Sequence, residues 1–343
     1  MIIINKRNLF FLISVWLLST LLSAQNVTIS TPHTQLLLSV PNGGTPEQLY
    51  YGSRTSDADI RSICETARRR NAYPVYGMGY PCETALSVRH ADGNLTLQMA
   101  VIGVKETRLT KENATLTVIE LKDKVYPFFV NICYKAWQDA DVIETWTEIR
   151  HEEKKPVILS KYASSMLHLN SSKYFLTEFS GDWAHEANVT ERELAFGKKV
   201  IDTKLGARAN MFVSPFFQLA LDNPSQENAG EVLVGTIGWT GNFRFTFEVD
   251  NKNELRIISG INPYDSEYSL PAKEVFRTPD FYFTYSTQGK GEASRSFHDW
   301  ARNHQVKKGN ETRMTLLNNW ESTYFDFDEN KLIGLMDEAT KLG

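Results

Sequence analysis

The stretch Glu231-Val232-Leu233-Val234-Gly235-Thr236-Ile237-Gly238-Trp239-Thr240-Gly241-Asn242-Phe243-Arg244-Phe245-Thr246-Phe247-Glu248-Val249 decides the fold class. Two runs of β-branched and aromatic residues, Glu231 to Trp239 and Phe243 to Val249, flank the turn signal Thr240-Gly241-Asn242. Residues of this kind suit the pleated surface of a sheet. The same texture recurs at Leu95 to Val104, Leu116 to Leu121, Phe128 to Tyr134, Val157 to Tyr162 and Phe281 to Tyr285. Pro41-Asn42-Gly43-Gly44, Ala91-Asp92-Gly93-Asn94 and Asn228-Ala229-Gly230 punctuate it. Aromatic residues make up 12% of the chain and many fall within these runs, as two packed sheet faces require. So many short strands over ~250 residues predict a mostly β protein built as a large sandwich. Ala58 to Arg70 is the exception: Ile60, Ile63 and Ala67 recur at helical spacing.

Beyond Gly289 the texture changes. Gly291 to His304 reads as a helix with Ser294, Phe297, Trp300 and Ala301 on one face, and Val306 to Arg313 as a polar linker. A strand is predicted over Met314 to Asn319 and a loop over Trp320 to Phe327. Asp328 then caps a helix from Glu329 to Lys341 with Leu332, Ile333, Leu335 and Met336 on its apolar face. Strand, loop and helix form the opening unit of a βα-repeat fold, and one such unit cannot bury its own faces. The chain is therefore expected to stop just as a second domain begins. The predicted organisation is a signal segment over 1–24, a β domain over 25–289, a helical linker over 290–313 and a first βα unit over 314–343.

The first 24 residues have the pattern of a secretory signal. Lys6 and Arg7 form the basic end, Leu9 to Leu22 is an apolar run of 14 residues, and Leu22-Ser23-Ala24 places a small residue at the cut. A bilayer-spanning helix needs about 20 apolar residues, so cleavage after Ala24 is expected rather than an uncleaved anchor. No other stretch is long enough to cross a membrane. The expected location is secreted or periplasmic, with no membrane attachment after cleavage.

The formal charge of −4 comes from 37 basic and 41 acidic residues mixed along the chain, which gives no surface for nucleic acid. No nucleotide-binding glycine loop, G-x-S-x-G elbow or Cys-His arrangement occurs, and no cofactor is expected. The histidines are scattered and the three cysteines lack metal-ligand spacing, so no metal site is expected. Cys64 and Cys82 are the nearest pair for a bridge, with three free thiols, Cys133 included, as the alternative. Six glycosylation sequons, at Asn26, Asn94, Asn113, Asn170, Asn188 and Asn310, would matter only in a host that modifies them.

A family resemblance enters at Leu317-Asn318-Asn319-Trp320-Glu321-Ser322-Thr323-Tyr324-Phe325-Asp326-Phe327. Upstream lie Tyr73-Pro74-Val75-Tyr76-Gly77-Met78-Gly79, Ala85-Leu86-Ser87-Val88 and Phe179-Ser180-Gly181-Asp182-Trp183-Ala184-His185-Glu186. Ser214-Pro215-Phe216, Trp239-Thr240-Gly241-Asn242-Phe243, Gly260-Ile261-Asn262-Pro263 and Phe276-Arg277-Thr278-Pro279-Asp280 follow in the same order. From about Tyr50 to Gly343 the chain resembles the family 36 glycoside hydrolases, the microbial α-galactosidases. The resemblance implies an N-terminal β-supersandwich, a (β/α)8 catalytic barrel and a small C-terminal β domain. It also implies retaining hydrolysis of terminal α-linked galactose from oligosaccharides by two aspartates, and homo-oligomers formed through the N-terminal domain. Both aspartates belong to later barrel strands, so no catalytic residue is expected in this chain.

Substrate contacts are a different matter. Trp320 follows the first barrel strand at the end where (β/α)8 sites open, and its match in the family lines the galactose pocket. An indole there stacks on the C–H face of a sugar and presents an N–H to a hydroxyl; packing between barrel and sandwich is the plainer role. Tyr80 stands where many relatives carry an Asp that reaches a neighbouring subunit's site, so either the phenol contacts sugar instead or the segment is only a turn. Trp183, beside His185 and Glu186, is a candidate subsite edge or a packing residue. Glu321 and Asp326 are expected to bond the loop and cap the helix. The competing readings are a carbohydrate-binding or assembly module without a barrel, and the same scaffold with α-N-acetylgalactosaminidase specificity.

Overall fold

A computed structural model describes residues 25–206 and 212–342; the signal segment over 1–24 lies outside the described residues. The chain opens with β1 (Gln25–Ser30), β2 (Thr34–Val40), β3 (Glu47–Ser53), helix α1 (Asp57–Thr66), β4 (Arg70–Asn71) and β5 (Leu86–Arg89). Long strands follow: β6 (Met99–Leu109), β7 (Ala114–Asp123), β8 (Phe128–Trp137), β9 (Ile143–His151) and β10 (Val157–Asn170). Next come β11 (Tyr174–Ser180), β12 (Asn188–Glu193), β13 (Gly197–Asp202), β14 (Val213–Leu221), β15 (Glu231–Ile237), β16 (Phe243–Val249) and β17 (Glu254–Ile261). The strands end with β18 (Tyr268–Leu270), β19 (Val275–Arg277) and β20 (Phe281–Ser286), before helix α2 (Gly289–Trp300).

These strands make three sheets. The first is β1-β2-β3-β4, and the second is β13-β16-β17-β10-β18 with β5 also paired to β10. The third has ten strands, β12-β11-β14-β15-β20-β9-β8-β7-β6, with β19 added at β9. The predicted mostly β class holds. The two runs of the deciding stretch prove to be strands, yet they do not pair with each other. β15 lies between β14 and β20, whereas β16 lies between β13 and β17, so residues 238–242 carry the chain from one sheet to the next.

That crossing builds the core. Phe217 of the large sheet meets Phe245 and Phe247 of the six-stranded sheet at centroid distances of 5.2 and 4.9 Å, and Phe281 meets Phe245 at 6.0 Å. Tyr51 joins the small sheet to Phe283 at 5.1 Å. These rings pack edge-on, the arrangement their quadrupoles favour. One buried cluster thus runs through all three sheets. Gly235 is required inside it: a Cβ there would stand 2.6 Å from Phe217 Cζ and 2.8 Å from Phe281 Cζ.

Boundaries shift where caps and pairing decide them. α1 begins at a capping box between Ser56 and Asp59 and ends at Thr66, because Ala67 is already extended; the pattern had suggested Arg70. β6 starts at Met99 rather than Leu95 and continues to Leu109, since β7 offers partners as far as Ala114. α2 buries Phe297 and Trp300 of the predicted face, but Ala293 rather than Ser294 joins them, and Ser294 and Ala301 are only half-buried.

The described residues divide into two units, one through Trp300 and one from Ala301. In the second, a π-helical turn (Ala301–Gln305) leads to α3 (Trp320–Thr323) and α4 (Glu329–Leu342). Asp328 caps α4 as expected, its Oδ1 accepting from Lys331 N at 2.8 Å. The strand predicted over Met314 to Asn319 does not form. A parallel strand takes its hydrogen bonds from neighbouring strands, and the described residues of this unit contain none. Met314 and Leu316 stay almost fully exposed.

Candidate functional site

Local chemistry shapes the segment Tyr76 to Glu83. Gly77 has φ +103°, and a Cβ there would lie 2.9 Å from Thr96 Cα, so only glycine fits. Tyr76 and Met78 project to solvent. Tyr80 turns the other way, packs against the core and faces Arg256. Burial raises the Tyr80 phenol well above its ordinary range despite that guanidinium, so it stays neutral.

An ion network fastens the end of this segment. Glu83 accepts from Lys161 at 2.6 Å and from Lys198 at 2.9 Å, while its own N–H donates to Glu248 at 3.2 Å. Glu248 also takes Arg256 Nε at 3.4 Å, and Arg256 Nη1 reaches Asp250 at 3.2 Å. Arg256 is nearly enclosed, its side chain 5% exposed. Partial burial pushes the Glu83 carboxyl up, but the two lysines outweigh it and hold it at about 2. A carboxyl depressed in the folded state stabilises above its unfolded value, about 4.5, and that contribution fades as pH falls toward 2. Glu83→Gln is therefore expected to flatten the loss of stability between pH 5 and 2, as read by urea unfolding across that window. A slope equal to the parent's would contradict the pairing.

Trp183 sits on the turn between β11 and β12 and is 80% exposed. Asp182 Oδ1 accepts from its N–H at 2.7 Å and Glu186 Oε1 from Ala184 N at 3.2 Å. Ala184 and Ala187 both adopt positive φ, a strained arrangement that keeps the turn tight.

In the second unit, Trp320 heads α3 and is 44% exposed. Its N–H donates to Asn318 Oδ1 at 3.0 Å, and its ring meets Tyr324 and Phe325 edge-on at 5.6 and 4.9 Å. Asn319 Nδ2 donates to Thr323 Oγ1 at 2.8 Å and Lys331 Nζ pairs with Asp326 at 3.1 Å, so the loop is tied at both ends. Asp326 thus serves the loop bonding expected of it, and Glu321 stays exposed. Tyr80 lies over the six-stranded sheet, and Trp183 on the edge of the ten-stranded one.

The sequence reading missed Lys161, Lys198, Glu248 and Arg256. Their only signal was charge inside strands that otherwise read as apolar. All three cysteines are unpaired; burial pushes the Cys133 thiol up to about 12. Among the described residues no group of three or more His, Cys, Asp or Glu could hold a metal, and no helix is long and apolar enough to cross a membrane.

Three joined antiparallel sheets define the class, a large antiparallel β-sandwich. Residues 44–271 match the glycosyl hydrolase family 36 N-terminal domain, and residues 275–343 match the melibiase family. The chain belongs to glycosyl hydrolase family 36. Alpha-galactosidase Mel36A of Lactobacillus acidophilus is 28% identical over 341 residues, covering 90% of this chain and 46% of that protein. Alpha-galactosidase AgaA of Geobacillus stearothermophilus is 29% identical over 235 residues, 68% of this chain and 32% of that one. A crystal structure of an AgaA variant with 1-deoxygalactonojirimycin superposes with a TM-score of 0.87 at 22% identity, over 93% of this chain and 49% of that one. Another, with raffinose, gives 0.86 at 23% identity, over the same shares. The chain spans about half the length, or less, of the relatives it matches.

Proposed function

We propose that this chain is the N-terminal part of an exported, retaining α-galactosidase that releases terminal α-linked galactose from oligosaccharides. The succession of two family matches along one chain, sandwich at 44–271 and melibiase at 275–343, carries the reading. Relatives named α-galactosidase, and a related structure holding raffinose, support the substrate class. The acid and nucleophile of such a reaction stand ~5–5.5 Å apart and belong to barrel strands that follow the first helix. This chain's part is to build walls. Trp320 stacks on the sugar, and Tyr80 and Trp183 are the candidate sugar contacts that the sandwich contributes. The sandwich serves as the surface through which copies associate, and export follows cleavage after Ala24.

An assay on p-nitrophenyl α-galactoside tests this. The exported protein, extended through the barrel, should release galactose with its anomeric configuration retained and should begin at Gln25. The present chain alone should release none. Turnover by this chain at enzyme-like rates would refute the absence of a catalytic pair, and preferential release of N-acetylgalactosamine would replace the specificity.

A further inference from the structure

Two recesses adjoin where the three sheets converge, both wholly within the first unit. One, of about 410 Å³, lies between β3, the segment Ala67 to Arg70 and the ends of β10, β14, β15 and β20. The other, of about 350 Å³, lies between the β1–β2 turn, Ser53 and Arg54, Asp141 and the start of α2. Tyr285 lines both, and the neighbours Gly52 and Ser53 line one each, so the two form a continuous groove. Each has the size of a small-ligand cleft. Trp320, Tyr80 and Trp183 line neither.

The charge of the lining selects the ligand. The first recess holds Arg68, Arg70 and Glu231, and the second holds Arg54, Asp141 and Glu292. Three cations thus meet three carboxylates, and the groups bonded to them keep the balance: Glu254 pairs with Arg68 and Arg70, and Arg295 with Glu292. An anion would meet the carboxylates and a cation the guanidiniums, so a charged ligand gains nothing net. A neutral polyol does gain, because each hydroxyl donates to a carboxylate or accepts from a guanidinium. Glu231 stands beside the phenols of Tyr50 and Tyr285, whose rings are apolar in the body and polar at the tip, as a sugar is. One acceptor is also fixed in advance. Asp141 has φ +50°, held by Thr31 Oγ1 and His33 N, which each donate to its Oδ1 at 2.7 Å. Its Oδ2 takes His33 Nδ1 at 2.5 Å. With Nδ1 so bound, the neutral imidazole keeps Nε2 as an acceptor, on a side chain that is 83% exposed.

We infer that the groove is a second, non-catalytic carbohydrate site, which takes a neutral oligosaccharide with one ring in each recess, its hydroxyls on Glu231 in the first and on His33 in the second. The site does not rest on the proposed hydrolysis. Calorimetric titration of this chain with raffinose, galactose and sodium galacturonate, at constant ionic strength, tests it. Raffinose should bind one per chain, at least tenfold more tightly than galactose, which fills one recess only. Galacturonate should bind no more tightly than galactose. His33→Ala and Glu231→Ala change exposed side chains, one in each recess, and should each weaken raffinose at least fivefold without altering the thermal transition. Trp320→Ala should leave raffinose affinity unchanged, which separates the groove from the sugar wall proposed for the barrel. Three results would overturn the site: no raffinose binding, galactose or galacturonate binding as tightly as raffinose, or unchanged affinity in both groove variants.

Discussion

Phe217→Ala is expected to remove about 3–5 kcal/mol of folding stability, the usual cost of emptying a buried aromatic site. Phe217 is fully buried and its ring touches Phe245, Phe247 and Phe281, so the loss falls on the seam between the two larger sheets. Neither sheet can close the gap without shifting its own strands, which places the effect toward the upper end. Gly235→Ala probes the same seam by filling it rather than emptying it, since Gly235 is the cross-strand neighbour of Phe217 in the ten-stranded sheet. Its new methyl would stand 2.6 Å from Phe217 Cζ, and overpacking of that order costs about 1–3 kcal/mol. Because the two sites share one volume, the double variant Gly235→Ala with Phe217→Leu should lose less than the sum of the single changes. Urea unfolding of the parent, Phe217→Ala, Phe217→Leu, Gly235→Ala and the double variant reads all of this. A Phe217→Ala midpoint close to the parent's would show that the seam is not where the core is held.

Trp320→Ala, made in the enzyme that includes the barrel, is expected to lower kcat/KM for α-galactosides by about 10–100-fold, equivalent to about 1.4–2.7 kcal/mol of transition-state binding. The thermal transition should hardly move, because Trp320 is 44% exposed and its ring contacts are with Tyr324 and Phe325 of its own loop. Trp320→Phe should fall between, since it keeps a stacking face and loses the indole N–H. Unchanged kinetics together with a lowered transition temperature would assign Trp320 to packing instead. The contrast separates a sugar wall from a structural plug.

Local chemistry in the sequence by itself determined much of this protein. Phe243–Val249 came out as the strand its alternation of aromatic and polar residues specifies, and Glu329–Leu342 as the helix that Asp328 caps. β-Branched runs and turn residues act over a few residues, so they are readable without the fold. The likeness to family 36 is readable for the same reason, its motifs being short and ordered. Pairing and burial were decided only by the tertiary structure. Nothing within Glu231–Val249 says that its two strands enter different sheets, because their partners lie at Val213–Leu221, Phe281–Ser286, Gly197–Asp202 and Glu254–Ile261. Likewise Tyr80 faces inward because Arg256, far along the chain, waits beneath it, and Glu83 is held by Lys161 and Lys198. Met314–Asn319 has the composition of a strand, but the described residues of its unit offer no strand to complete its ladder. A strand's composition belongs to its own residues, whereas its hydrogen bonds and the charges that meet over it belong to whatever the chain brings alongside.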